Sequence, residues 1–132
     1  MDDLVQWLRA QLDEDERIAR AARGVEFCKD GRWVTRGPFE EGLGGIHSEA
    51  GEAILGEEEN VPFAVADHAS RHDPARVLRE IGAKRDLLRV AKAARDYHET
   101  FTSGFASALE GTLRLFALAY ADRPGYREEW RP

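Results

Sequence analysis

His68 and His72 stand four residues apart in a stretch that reads as helical, with Asp73 directly after the second. Residues four apart on a helix share one face, so both imidazoles can reach one divalent ion. Zinc accepts such a pair when a third ligand arrives from elsewhere, and Asp73, His47 or His98 is placed to supply it. A metal held this way, zinc or another divalent ion, could serve hydrolysis. The pattern is not the helical zincin signature, because Ala69 rather than a glutamate follows His68. The competing reading is architectural. Both rings lie against the core or over the next helix, with a ring nitrogen bonded to a backbone carbonyl. Asp73 precedes Pro74, which suits a helix cap followed by proline in the first helical position.

Arg85, Arg89 and Lys92 are spaced four and three apart and line one flank of a predicted helix. A stripe of this kind can follow a phosphate backbone, which gives a nucleic-acid reading for the helix over 74–96. That helix carries no aromatic residue to stack a base, and the net charge of −6 argues against broad nucleic-acid binding. The charge is unevenly distributed. No Lys or Arg falls between Arg36 and Arg71, whereas Glu40, Glu41, Glu49, Glu52, Glu57, Glu58, Glu59 and Asp67 do. From Arg71 to Arg95 the balance reverses. Two such blocks are expected to face each other within the fold or across a dimer.

Three further features are weaker chemically. Glu57, Glu58 and Glu59 are consecutive and point in different directions, which suits a solvated loop. Cys28 is the only cysteine, and no activating base or helix N-terminus stands beside it in sequence. Tyr126 and Trp130, among Arg123, Pro124, Arg127 and Arg131, either fold back over apolar surface or serve as interface anchors.

The elements that must position these groups are legible from periodicity. Leu4, Leu8, Leu12, Ala19 and Ala22 predict a helix from about Asp2 to Ala22, wetter at Gln11 and Asp15 and stopped at Gly24. Asp30-Gly31 predicts a type I′ hairpin pairing Cys28 with Trp33 and Phe27 with Val34. Ile46-His47 and Ala53-Ile54-Leu55 suggest two more short strands joined near Ala50-Gly51. Asn60 is read as the cap of a short helix running to about His72, with Pro62 in its first turn. Pro74 to about Asp96 forms a longer helix with Val77, Leu78, Ile81, Leu88 and Ala91 inward. A last helix spans about Glu99 to Tyr120, on the stripe Phe101, Phe105, Leu109, Leu113, Phe116 and Tyr120. The expectation is an α+β fold: an N-terminal helix, a small antiparallel β-meander, then three helices packing on it. Residues 1–120 are expected to form a single domain and 121–132 an aromatic, proline-broken tail.

A chain of 132 residues can bury a core without staples, and a single thiol fits a reducing compartment. The first residues show neither the basic start nor the apolar run of a secretory signal. No apolar run approaches the roughly 20 residues of a membrane helix. These features lead to the expectation of a cytoplasmic protein without membrane contact.

Three segments carry a resemblance: the opening Met1-Asp2-Asp3-Leu4-Val5-Gln6-Trp7-Leu8, the segment from Asp67-His68-Ala69-Ser70-Arg71-His72-Asp73-Pro74 to Glu80, and the ending from Tyr120 to Trp130. Together they resemble a family of small actinobacterial and actinophage proteins of unknown function. The central segment is also distantly similar to early-region accessory proteins of lambdoid phages. Those combine a helix, a meander around a Trp, and a helix pair split at an Asx/Ala-Pro-Ala step. Here Arg23-Gly24-Val25-Glu26-Phe27 replaces the Pro-Gly-Pro-Trp entry often seen there. The resemblance implies a phage or prophage setting and brings no catalytic residue or ligand. The sequence therefore reads first as a non-enzymatic protein-interaction or accessory module, with a homo-oligomer or another protein as partner. The alternatives are the divalent-metal site at His68, His72 and Asp73, and nucleic-acid binding through the basic helix.

Overall fold

The computed structural model describes residues 1–25, 29–56, 61–96 and 103–132. Helix α1 covers Asp2–Arg23, with Asp2 and Asp3 in its first turn and Arg20 and Arg23 in its last, the charge order that suits the helix dipole. Strands β1 (Trp33–Arg36), β2 (Leu43–Ser48), β3 (Ala53–Leu55) and β4 (Val61–Pro62) follow, then helices α2 (Phe63–Arg71), α3 (Pro74–Asp96) and α4 (Ser103–Ala117). This is the expected α+β order of helix, antiparallel sheet and three helices. No described helix is long and apolar enough to cross a membrane.

The chain divides into two compact units. One comprises Asp15–Glu80; the other comprises Met1–Glu14 with Ile81–Pro132.

In the unit of Asp15–Glu80, β2 is the central strand. It pairs antiparallel with β1 (Trp33↔Ser48 to Arg36↔Gly45), with β3 (Ile46↔Leu55, His47↔Ala53) and with β4 (Leu43↔Pro62, Gly44↔Val61). The β2–β3 turn closes as expected at Gly51, whose φ is 90°. The Ser48 hydroxyl accepts the Glu52 amide at 3.1 Å. Glycines at 44 and 45 are demanded by crowding. A Cβ on Gly44 would sit 2.8 Å from the Arg36 carbonyl oxygen, and one on Gly45 would sit 2.9 Å from that of Leu55. Ile46, Val61 and Ala66 form the core of this unit, with Trp33, Ile54 and Ala69 packed against them.

One expectation changes here, and others fall outside the described residues. The pairing of Cys28 with Trp33 and Phe27 with Val34 falls outside the described residues, as do the Glu57–Glu59 loop and the Asn60 cap. The strand at Trp33–Arg36 pairs with β2. Its entry is an Asx turn, in which the Asp30 carboxylate accepts the Arg32 amide at 3.0 Å and Gly31 takes a φ of 68°. Pro62 does not lie inside the first turn of α2. It is the N-cap residue, because Val61 and Pro62 are first used as a short strand against β2.

In the other unit, Leu4, Leu8 and Leu12 of α1, Leu88 of α3 and Leu113 of α4 are the largest fully buried side chains. Burying each from water contributes about 2 kcal/mol. Ile81, Ala91, Ala117 and Tyr120 are also buried. The predicted stripe of α4 is only partly inward: Phe105 is 57% exposed while Leu113 is fully covered. A run spaced by fours advances about 40° per step around a helix of 3.6 residues per turn, so its two ends face different directions. Phe101 lies outside the described residues.

Residues 121–132 fold back onto the start of α1. Trp7 Nε1 donates to the Pro124 carbonyl at 3.1 Å. Its ring meets those of Tyr126 and Trp130 at 5.7 and 5.3 Å between centroids. Arg127 pairs with Asp3 at 3.0 Å, and Arg114 donates to the Glu129 carbonyl at 2.9 Å.

Candidate functional site

The corner between α2 and α3 carries the residues that the sequence singled out. Asp73 is the hinge of that corner. Its Oδ1 accepts the Arg76 amide at 2.8 Å, the expected N-cap, and its Oδ2 accepts the Trp33 amide at 3.1 Å. The Ala75 amide donates back to the Gly31 carbonyl at 2.9 Å. The start of α3 is therefore stitched to the start of β1 by a pair of hydrogen bonds running in opposite senses. Arg76 adds a bond to the Arg71 carbonyl at 2.8 Å and a pair with Glu80 at 2.8 Å.

His68 and His72 do share a face. Their rings lie 4.4 Å apart between centroids, tilted by 33°, and His72 Nδ1 bonds the His68 carbonyl at 2.8 Å. That bond fixes a proton on Nδ1, so a neutral His72 ring presents Nε2 as an acceptor. Asp73 has both carboxylate oxygens engaged by backbone amides. Asp67 accepts from the Thr35 hydroxyl at 3.3 Å and pairs with Arg71 at 3.5 Å. Among the described residues, no group of three or more His, Cys, Asp or Glu side chains converges to hold a metal ion. His98 and Cys28 lie outside those residues.

Beside this corner is a cleft of about 330 Å³, lined by Asp15, Ile18, Ala19, Ala22, Trp33, His72, Pro74 and Val77. Its walls come from the second half of α1, from β1 and from the first turns of α3. They are largely apolar, and Ile18 stands 54% exposed among them. Trp33 Nε1 is buried with no hydrogen-bond partner. Sequence reasoning identified His72 but missed the cleft. The available signal was Ile18, an aliphatic residue off the buried stripe of α1, and Trp33, which needs a partner for its ring when its strand starts beside a helix cap.

The basic stripe of α3 is paired with acids. Arg85 pairs with Asp13 at 2.7 Å, Arg95 with Asp2 at 2.5 Å and Arg89 with Asp86 at 2.9 Å, while Lys92 pairs with Asp96. Its partners among these pairs are in α1 and in α3 itself, where acids three or four residues away on one helix are within reach. A groove of about 320 Å³ runs between Arg9, Asp13, Arg85, Leu88, Arg89 and Lys92. Lys84 lies elsewhere on the helix. Its Nζ donates to the Tyr120 hydroxyl at 3.0 Å and stands 5.2 Å from the Phe116 ring centroid. Trp130 is 5% exposed, and Tyr126 is half-buried against it at 5.9 Å between centroids.

The fold and this corner define a small α+β chain with an apolar cleft beside a capped helix–strand junction. The chain belongs to a family of unknown function, DUF6221, whose model matches residues 1–132. No characterised protein and no solved structure matches it.

Proposed function

We propose that this chain is a non-enzymatic protein-interaction module whose cleft receives an apolar anchor from a partner polypeptide. The observation that carries this reading is the cleft itself. It has apolar walls from Ile18, Ala22, Pro74, Val77 and the Trp33 ring, with the His72 imidazole among them. At about 330 Å³ it sits at the bottom of the range of small-molecule pockets. It fits one or two aliphatic or aromatic side chains better than an extended cofactor. With its Nδ1 bonded to the His68 carbonyl, His72 keeps Nε2 for a polar group of the incoming segment. The charged groups nearby are engaged in capping and pairing, which favours recognition over chemistry. The resemblance of the two ends and the centre to small actinobacterial and actinophage proteins supports an accessory role in a phage or prophage setting. The single-thiol composition supports a cytoplasmic location.

Selection of a random peptide library on the full-length protein tests this reading. Enriched peptides should share one or two apolar anchors, shift the Trp33 indole resonance in nitrogen–proton spectra, and lose binding to Ile18→Glu with unchanged circular dichroism. Failure to enrich any peptide, or binding indifferent to Ile18→Glu, would refute it.

A further inference from the structure

The outward face of α2 carries two donors that the core does not use. Ala66 and Ser70 are the buried residues of this helix, while His68 and His72 are exposed. Residues 68 and 72 fall on the opposite side of the helix from 66 and 70, at about 100° per residue. Their two rings lie 4.4 Å apart between centroids and are tilted by 33°.

His72 is already held in the way a metal-binding imidazole is held. Such a ring donates its second N–H to a backbone carbonyl or carboxylate, which fixes the tautomer and leaves the other nitrogen to the ion. Here Nδ1 bonds the His68 carbonyl at 2.8 Å, and Nε2 remains available. Among the described residues, none hydrogen-bonds a ring nitrogen of His68.

The separation of the rings selects the class of ion. With metal–nitrogen bonds of about 2.0–2.1 Å, two imidazoles bound at a right angle have centroids about 4.5 Å apart, and at the tetrahedral angle about 5.2 Å. The observed 4.4 Å matches the right angle, which belongs to the tetragonal sites of copper(II) and nickel(II) rather than to zinc. An imidazole turns over a broad range about its Cβ–Cγ bond, and this motion leaves the ring centre nearly in place. The exposed His68 ring can therefore turn a nitrogen toward the ion at the same spacing.

We infer that His68 and His72 form a two-imidazole site for a tetragonal divalent ion, copper(II) or nickel(II), at the C-terminal end of α2. Asp73 is not a ligand, because backbone amides occupy both its carboxylate oxygens. Asp67 is likewise engaged by Thr35 and Arg71. The chain supplies two donors and water supplies the rest, so the ion binds reversibly rather than as a closed structural centre. The site uses ring nitrogens and not the apolar walls of the cleft, so it stands independently of the partner proposed above.

Calorimetric titration of the full-length protein with copper(II), in a Cys28→Ser background, tests it. One ion per chain should bind in the micromolar range, and electron paramagnetic resonance should show a tetragonal copper spectrum with coupling to imidazole nitrogen. His68→Asn and His72→Asn should each weaken binding roughly tenfold or more, because either change ends the chelate. His72→Gln should repeat the second loss, and His47→Asn and His98→Asn should leave the affinity unchanged, with circular dichroism confirming the fold of each variant. Affinity undiminished in His68→Asn or in both His72 variants, affinity lost in a folded His47→Asn or His98→Asn protein, or a spectrum without imidazole coupling would each overturn the inference.

Discussion

Replacing Asp73 by alanine should destabilise the protein far more than a half-exposed carboxylate at a helix start ordinarily does. Its Oδ1 caps α3 through the Arg76 amide, and its Oδ2 satisfies the Trp33 amide at the first residue of β1. Loss of an N-cap costs about 1 kcal/mol. A partly buried amide left without its acceptor costs about 1–3 kcal/mol more. One carboxylate serves both, so the two losses are coupled rather than strictly additive, and about 2–3 kcal/mol is expected in all. At this chain length 1 kcal/mol corresponds to roughly 4 °C in Tm, which gives a fall of about 8–12 °C by circular dichroism. Asp73→Ser separates the two roles. Serine can cap α3 but does not reach Trp33, so its Tm should lie between those of the wild type and the alanine variant. In both variants the Trp33 amide should lose hydrogen-exchange protection. An alanine variant melting within about 2 °C of wild type, or a Trp33 amide still protected in it, would refute the stitching of α3 to β1. The same variants bear on the metal reading. Were Asp73 chiefly a ligand, Tm without metal would be insensitive to its loss, and added zinc would stabilise only the wild type.

Within the aromatic cluster of the C-terminal segment, Trp130→Ala should cost about 3–5 kcal/mol by removing a buried ring. Tyr126→Phe should be neutral or stabilising, because the buried Tyr126 hydroxyl has no hydrogen-bond partner; urea unfolding of both variants checks the contrast. The hydrogen bond and the positive charge of Arg131 hold the Glu128 carboxyl below its ordinary value. A folded-state pKa that is depressed contributes stability above the unfolded value, and that contribution disappears as pH falls through the folded one. An NMR titration of Glu128 should therefore show its midpoint rising in Arg131→Gln, and an unchanged midpoint would disprove the coupling.

Much of the architecture followed from local chemistry in the chain. The Asp73-Pro74 step set both the cap and the first residue of α3, since proline lacks the amide that a first helical turn leaves unbonded anyway. The leucine spacing of α1 identified Leu4, Leu8 and Leu12 as core, because side chains at this interval fall on one helix face. Short-range pairing across Gly51 was readable because a glycine between two short apolar runs suits a tight turn. Other features depended on residues distant in sequence. Nothing near Trp33 indicates that its amide is held by a carboxylate forty residues away. Asp13 and Asp2, which pair with Arg85 and Arg95, lie far from them in sequence. Phe105 belongs to the same spacing as Leu113, yet one is exposed and the other is covered. A helical repeat fixes angles around an axis, and only the neighbouring elements decide which angles face inward. The cleft beside His72 likewise exists only once α1, β1 and the start of α3 are assembled, because each supplies one wall and none of them holds a site alone.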